Sequence, residues 1–445
     1  MRRFEYKKGS SYKFWEIEVE GNSFTARYGK VGAKGQTQTK SFASPEKAAA
    51  AAEKKINEKV RKGYAEVAAA AAVAPKTNEV DAAAQYAVRA DELQAAGDPW
   101  GQRIALTIAH EAAAPKSAER RKLAKELREL EREHGEHFFG AQLWELMQQD
   151  HFEKVARLTW EYGYVVRARV GQPEWGFDGP HAGAVLEALM ASPASEPLRE
   201  LTVGLTDFEG GGLHDAHQAI AAGIVHPKLT QVFIGDFHAE EQEISWVGHG
   251  DISGLYAKAP GLLRLRLRGA GILLGQLEHP TLARLEIESG GLPEAAVASL
   301  AAAKLPELVY LSVWFGRETY GGTTNIAALR PLFSTTGLPK LEHLGLQNSE
   351  MEDEIAIELA GSKLLEQVDS VDLSMGTLRE PGAQAIIDHA PRFKHLKSLN
   401  LSENFIPSTQ VAALRSALGK TLTLGYQQTP DVWNGEEYYF TSVGE

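Results

Sequence analysis

The sequence predicts an α/β solenoid, with a parallel sheet on its concave face and helices on its convex face, and three observations carry that reading. Residues 198–418 hold eight matches to Leu-x-x-Leu-x-Leu, with Val or Ile allowed for Leu, beginning at Leu198, Leu229, Leu262, Leu282, Leu308, Leu341, Val368 and Leu396. Their starts lie 31, 33, 20, 26, 33, 27 and 28 residues apart, a period near 28 that marks stacked strand-and-return units. Between the strands fall helix-like runs at 292–300, 352–359, 381–387 and 409–418.

The chain has 445 residues, 43% hydrophobic and 24% charged, which is ordinary for globular protein and too long for one core. No run approaches the ~18 apolar residues that cross a bilayer, and the start Met1-Arg2-Arg3-Phe4 lacks the apolar stretch of a secretion signal. A cytoplasmic protein without a membrane partner is expected. Cysteine is absent, which removes disulfides, thiolate metal sites and cysteine nucleophiles. The net charge of -12 is uneven: residues 1–63 carry 15 Lys+Arg against 7 Asp+Glu, a net of +8 that leaves -20 for the remainder. Such a basic head draws phosphates, or else is a solvated basic helix.

From the N-terminus, alternation around Phe14, Trp15, Ile17 and Val19 predicts a strand, with further strands at 24–28 and 36–42. A helix follows, with Ser44 as N-cap, Pro45 in its first turn and Gly63 as its stop. The stretch Arg27-Tyr28-Gly29-Lys30-Val31-Gly32-Ala33-Lys34-Gly35-Gln36, with Phe14-Trp15-Glu16-Ile17 and Gly63-Tyr64, resembles the WGR domain, named for a Trp-Gly-Arg motif. In poly(ADP-ribose) polymerases such domains contact DNA ends, so the resemblance implies a small α+β domain over 1–66 with nucleic acid as a partner. Its site residues are then Tyr28, Lys30, Lys34, Gln36 and Lys40. Tyr28 stands for the motif's Trp and Lys30 for its Arg. An aromatic still stacks on a base and Lys still meets a phosphate, although without Arg's planar fork; the other reading makes Tyr28 a core aromatic.

Residues 67–80 read as an Ala-rich linker broken by Pro75. From 81 to 179 a helical cap is expected: two helices parted by Gly97-Asp98-Pro99-Trp100-Gly101, then a charged helix over 116–134. The stretch Asp91-Glu92-Leu93-Gln94-Ala95-Ala96-Gly97-Asp98-Pro99-Trp100 resembles a short companion domain found ahead of bacterial leucine-rich repeats, and 160–170 fits its exit into the array. Residues 180–418 are expected to form the leucine-rich repeats, and the array with the ending Phe440-Thr441-Ser442-Val443-Gly444-Glu445 resembles, over roughly 180–445, a bacterial leucine-rich-repeat family whose members often accompany WGR domains. Residues 419–445 alternate again at 421–426 and 438–443 and are expected to cap the last repeat's open edge.

Outward positions of the strands stack into three columns. The first reads Glu200, Gln231, Arg264, Arg284, Tyr310, His343, Ser370 and Ser398; the second Thr202, Phe233, Arg266, Glu286, Ser312, Gly345, Asp372 and Asn400; the third Gly204, Gly235, Arg268, Glu288, Trp314, Gln347, Ser374 and Ser402. The chemistry gathers in the centre, so Arg264, Arg266, Arg268, Arg284, Glu286, Glu288, Tyr310 and Trp314 are the candidate partner-binding residues. The competing reading pairs Arg266 with Glu286 and Arg268 with Glu288 across the sheet. Asn404 sits where an amide bonds the turn after its strand; Asn348 misses that place by one residue.

His134-Gly135-Glu136-His137 and His214-Asp215-Ala216-His217 lack the His-Glu-x-x-His order of a zinc protease, and neither phosphate-loop nor nucleophile-elbow spacing occurs. No metal, cofactor or enzymatic activity is expected. The expectation is a binding and adaptor protein, its concave face gripping a protein partner and its head binding nucleic acid or a second protein. Two alternatives stand beside it: a sensor whose basic head docks on the acidic body, and a substrate-recognition arm for a separate enzyme.

Overall fold

All eight leading residues of the array are buried, none more than 2% exposed. In a computed structural model each motif forms a short strand whose inner pair of apolar side chains faces the interior while the alternate residues face out. The structure describes residues 2–8, 11–20, 23–30, 36–42, 47, 51–52, 55–56, 59, 62, 65–67, 79–208 and 212–444. Two units result, Met1–Ala82 and Ala83–Glu445.

In the larger unit one sheet of eleven strands runs from Ala156–Glu161 to Leu422–Thr423. Its strands are parallel except the first, which forms an antiparallel hairpin with Tyr164–Val170. Helices lie between the strands in sequence, among them Glu294–Ala301, Glu352–Gly361, Glu380–Asp388 and Ser408–Leu418, where the sequence places them. Covering each Leu from water contributes ~1.5–3 kcal/mol, and the stacked units join one core from Trp100 to Leu424. The 20-residue unit between Leu262 and Leu282 is too short for a helical return. It carries the strand Ala270–Leu273 instead, paired in parallel with Gly248–Asp251.

The cap begins with helices Glu79–Ala95 and Pro99–Ala112. Asp98 accepts the Trp100 amide at 2.9 Å and Pro99 opens the second helix, so the Gly97–Gly101 punctuation is a cap between two helices. Gly101 permits their close crossing, since a Cβ there would meet the Ala90 carbonyl at 2.4 Å. The charged helix runs Ala118–Phe139 and bends at His134. Trp100 stacks on Tyr164 at 4.4 Å, which ties the cap to the first parallel strand. Cap and repeats therefore share one core, and 179/180 is no boundary in the packing.

Asn404 is fully buried and bonds the turn as expected: its Nδ2 donates to the carbonyls of Leu373, Leu401 and Ser402, and its Oδ1 accepts Leu378 N–H at 3.0 Å. The tail departs from expectation. Leu422–Thr423 does cover the last strand, Ser398–Asn400, but 438–443 is not a second edge strand. Asp431–Trp433 and Glu436–Tyr438 form their own hairpin, after which the chain turns back across earlier repeats, Ser442 N–H bonding the Met375 carbonyl at 2.9 Å.

The smaller unit is a five-stranded antiparallel sheet with a hydrophobic cluster of Trp15, Ile17, Phe24, Ala26, Ala52 and Ile56. Lys47, Ala52, Ile56 and Lys59 are helical, in the expected helix; its Ser44, Pro45 and Gly63 lie outside the described residues. Ala65–Val67 is a strand paired with Arg2–Lys8, so residue 67 belongs to the sheet and the chain is already helical at Glu79; the rest of the expected linker, 68–78, lies outside the described residues.

Candidate functional site

Strand register aligns the three columns as the motif spacing predicts. Gln231, Arg264, Arg284, Tyr310 and His343 are successive neighbours in the first, and Phe233, Arg266, Glu286 and Ser312 in the second. Arg268 neighbours Glu288, and Trp314 neighbours Gln347, in the third. The first parallel strand extends the columns by Arg167 and Arg169, which motif spacing missed because Ala168 stands there in place of the motif's second leucine.

The competing ion-pair reading holds for Arg268 with Glu288 and fails for Arg266 with Glu286. Arg266 turns from Glu286 to Glu288, its Nε donating to Oε1 at 2.8 Å, and Arg268 holds the other oxygen at 2.6 Å. Arg284 takes Glu286, its neighbour two along the same strand. Guanidinium length explains the exchange: the side chains slant along the sheet and reach the next row. Glu288 is only 8% exposed, so its charge is held by both guanidiniums. Four arginines and two glutamates share these two strands, and Arg266, with 37% of its side chain exposed, keeps a face toward solvent.

Planar groups stack across the same strands. Arg266 lies over Phe233 at 4.5 Å, Arg284 lies over Tyr310 at 3.5 Å, and Tyr310 stacks on His343 at 4.1 Å with 6° between the rings. Burial, then the charge of Arg284, lowers the His343 pKa to about 4, so the ring is neutral at pH 7. Burial raises the Tyr310 hydroxyl as well. Phe233 and His343 stood in the columns by sequence; their part in the stack depends on contacts across strands. Trp314 is half-buried farther along the Tyr310 strand.

Toward the C-terminal end the face satisfies itself. Ser312 donates to Gln347 at 2.8 Å and Gln347 to Ser374 at 3.2 Å, while Asn400 donates to both oxygens of Asp372. Histidines resolve similarly: His137 meets Asp98 at 2.9 Å and His217 meets His249 at 2.9 Å. Among the described residues no group of three or more His, Asp or Glu is placed to hold a metal ion, and no helix is long and apolar enough to cross a membrane.

On the head, Tyr28 is 37% exposed rather than a core aromatic; Trp15, opposite it in register, fills the core. Gln36 faces Tyr28 across the outer strand pair, and Lys40 stands on the same sheet face, opposite Phe24, with its ammonium 5.6 Å from the Phe42 ring. Lys30 closes the strand Ser23–Lys30; Lys34 lies outside the described residues. Beside Tyr28, Arg27 is fixed by the buried Glu16 at 2.6 Å.

Residues 1–71 match the WGR domain. Over 68 residues the chain is 50% identical to Protein YehF of Escherichia coli K12, and over 65 residues 46% identical to the uncharacterized protein YfeS of the same organism. Each stretch is 15% of this chain and 25% or 27% of the relative, so the chain spans about a quarter of the length of the curated relatives it matches. A solved structure of a Bacteroides fragilis protein, a structural-genomics target, is similar over 99% of both chains, at 25% identity and a TM-score of 0.53. The head of this chain is a WGR domain, and it precedes an α/β body built on a large parallel sheet.

Proposed function

We propose that the chain is a non-enzymatic adaptor, the open face of its repeat sheet taking a protein partner and its WGR domain taking nucleic acid or a second protein. The observation that carries this reading is the stack of Phe233 with Arg266 and of Arg284 with Tyr310 and His343. Arginines and aromatics dominate interface energetics when their geometry is set in advance. Here Glu286 and Glu288 set it: each carboxylate fixes a guanidinium while leaving other N–H donors for a partner's carbonyl or carboxylate. For the head, support comes from the +8 charge of residues 1–63 and the exposure of Tyr28, Gln36 and Lys40.

Pull-down of proteins by the immobilised full chain tests the open face. Capture that survives Tyr310→Ala with Trp314→Ala, in a variant that still unfolds cooperatively, excludes this face. Titration of the full chain with blunt or nicked DNA at several salt concentrations tests the head. Binding should weaken steeply with salt and with Lys30→Ala and Lys40→Ala; no binding even at low salt excludes the nucleic-acid role.

A further inference from the structure

The stretch 421–445 contains four Asp or Glu and no Lys or Arg, and its hairpin stands away from the core. Asn434 and Gly435 turn it with φ of 54° and 84°, the left-handed pair that matches strand twist. Register places Trp433 opposite Glu436 and Asp431 opposite Tyr438, so these four side chains share one face. All four are exposed, Trp433 by 71%.

A lone two-stranded hairpin is marginal in water, but this one is fastened on both sides. Before it, Gln428 N–H bonds the Asn404 carbonyl at 2.6 Å, and its side chain donates to the Glu403 carbonyl and the Ser442 hydroxyl. After it, Arg379 lies over the Tyr439 ring at 4.9 Å and Arg317 over Phe440 at 4.4 Å. The tail's inner rings thus take guanidiniums from the body. Of its outer rings, Trp433 presents its π face to solvent, while Tyr438 stacks toward Phe440 at 6.5 Å and donates its hydroxyl to Glu436 at 3.1 Å.

We propose that this hairpin face is a docking surface for a basic protein segment, with an Arg or Lys side chain lying on Trp433 in the field of Asp431 and Glu436. Charge complementarity selects the occupant: a tail with no cation of its own repels acidic partners, and an indole face is the best aromatic platform for a cation. Anchoring both ends fixes the platform before binding, which lowers the ordering cost.

The test is titration of the full chain with a fluorescein-labelled peptide of alternating Arg and Gly. Trp433→Ala should weaken binding at least tenfold, as should Asp431→Asn with Glu436→Gln, whereas Trp433→Phe should retain most of it. Neutralising two exposed cap-helix carboxylates, Glu129→Gln with Glu133→Gln, should leave it unchanged. Unaltered affinity in Trp433→Ala overturns the proposal, as does equal weakening by the cap-helix pair, which reduces the binding to overall charge. Trp433 lies outside both anchors, so a thermal midpoint unchanged in its variants separates loss of docking from loss of fold.

Discussion

Asn348 holds Val443 by both main-chain groups, donating from Nδ2 to its carbonyl at 2.6 Å and accepting its N–H on Oδ1 at 2.9 Å, across 95 positions of sequence. Asn348 is fully buried and left-handed at φ 53°, a conformation that Asn tolerates and that glycine adopts without strain. Asn348→Gly therefore removes the clamp while keeping the backbone. It should cost about 1–3 kcal/mol in urea unfolding and raise amide exchange at 440–444. Unchanged exchange there would show that Phe440 and Ser442 hold the tail without the clamp.

Glu288 serves two guanidiniums, which makes the arrangement asymmetric. Glu288→Gln leaves Arg266 and Arg268 facing one neutral amide, so a loss of about 2 kcal/mol is expected. Arg266→Ala leaves Arg268 in place and should cost under about 1 kcal/mol, because Arg266 is part-exposed. Chemical denaturation of the two variants checks the order; the reverse order contradicts the shared-carboxylate account.

Arg103 is the polar centre of the cap. It pairs with Glu131 at 2.9 Å, donates to the Gly163 carbonyl, and lies 4.9–5.4 Å from the ring centres of Trp100, Phe138, Phe139 and Trp160. A lysine cannot make that planar, forked contact. Arg103→Lys should lose on the order of 2–3 kcal/mol and loosen the cap, seen as faster exchange in 99–139. Wild-type stability in this variant would mean that charge alone suffices.

The His217–His249 pair gives the body an acid limb. His249 Nε2 meets the Arg268 carbonyl at 2.8 Å and must donate, so its Nδ1 accepts from His217. Burial lowers the His249 pKa to about 4; burial, then the neighbouring His249 and His214, lowers His217 to about 2. Both folded values lie below the unfolded value of ~6.5. The contribution is therefore complete above that pH and is lost as pH falls toward 4, by on the order of 2 kcal/mol per ring between pH 6.5 and 4.5. His217→Gln, whose amide still donates, should flatten the stability curve in that window, and an unchanged slope would count against it.

Much of the fold was legible because it repeats. Leu198, Leu229 and their successors are local ruler marks, and strand order and column neighbours follow from them once stacking is assumed. Asn404 was readable for the same reason, since its partners sit in its own and the preceding turn. The candidate site was legible as a set of residues and only in part as a set of bonds, since Arg268 does hold Glu288 as the columns suggested. Column alignment suggested Arg266 with Glu286; the slant and length of guanidinium side chains chose Glu288.

By itself the sequence determined the repeat, the cap punctuation around Asp98 and the charge division between head and body, all of which rest on short-range spacing and composition. Tertiary structure alone decided which carboxylate each arginine holds, that Tyr28 faces solvent while Trp15 fills the core, and that the tail leaves the last repeat to reach Asn348. Those outcomes depend on contacts between residues far apart in the chain, where no periodicity links the partners and only packing brings them within hydrogen-bond reach.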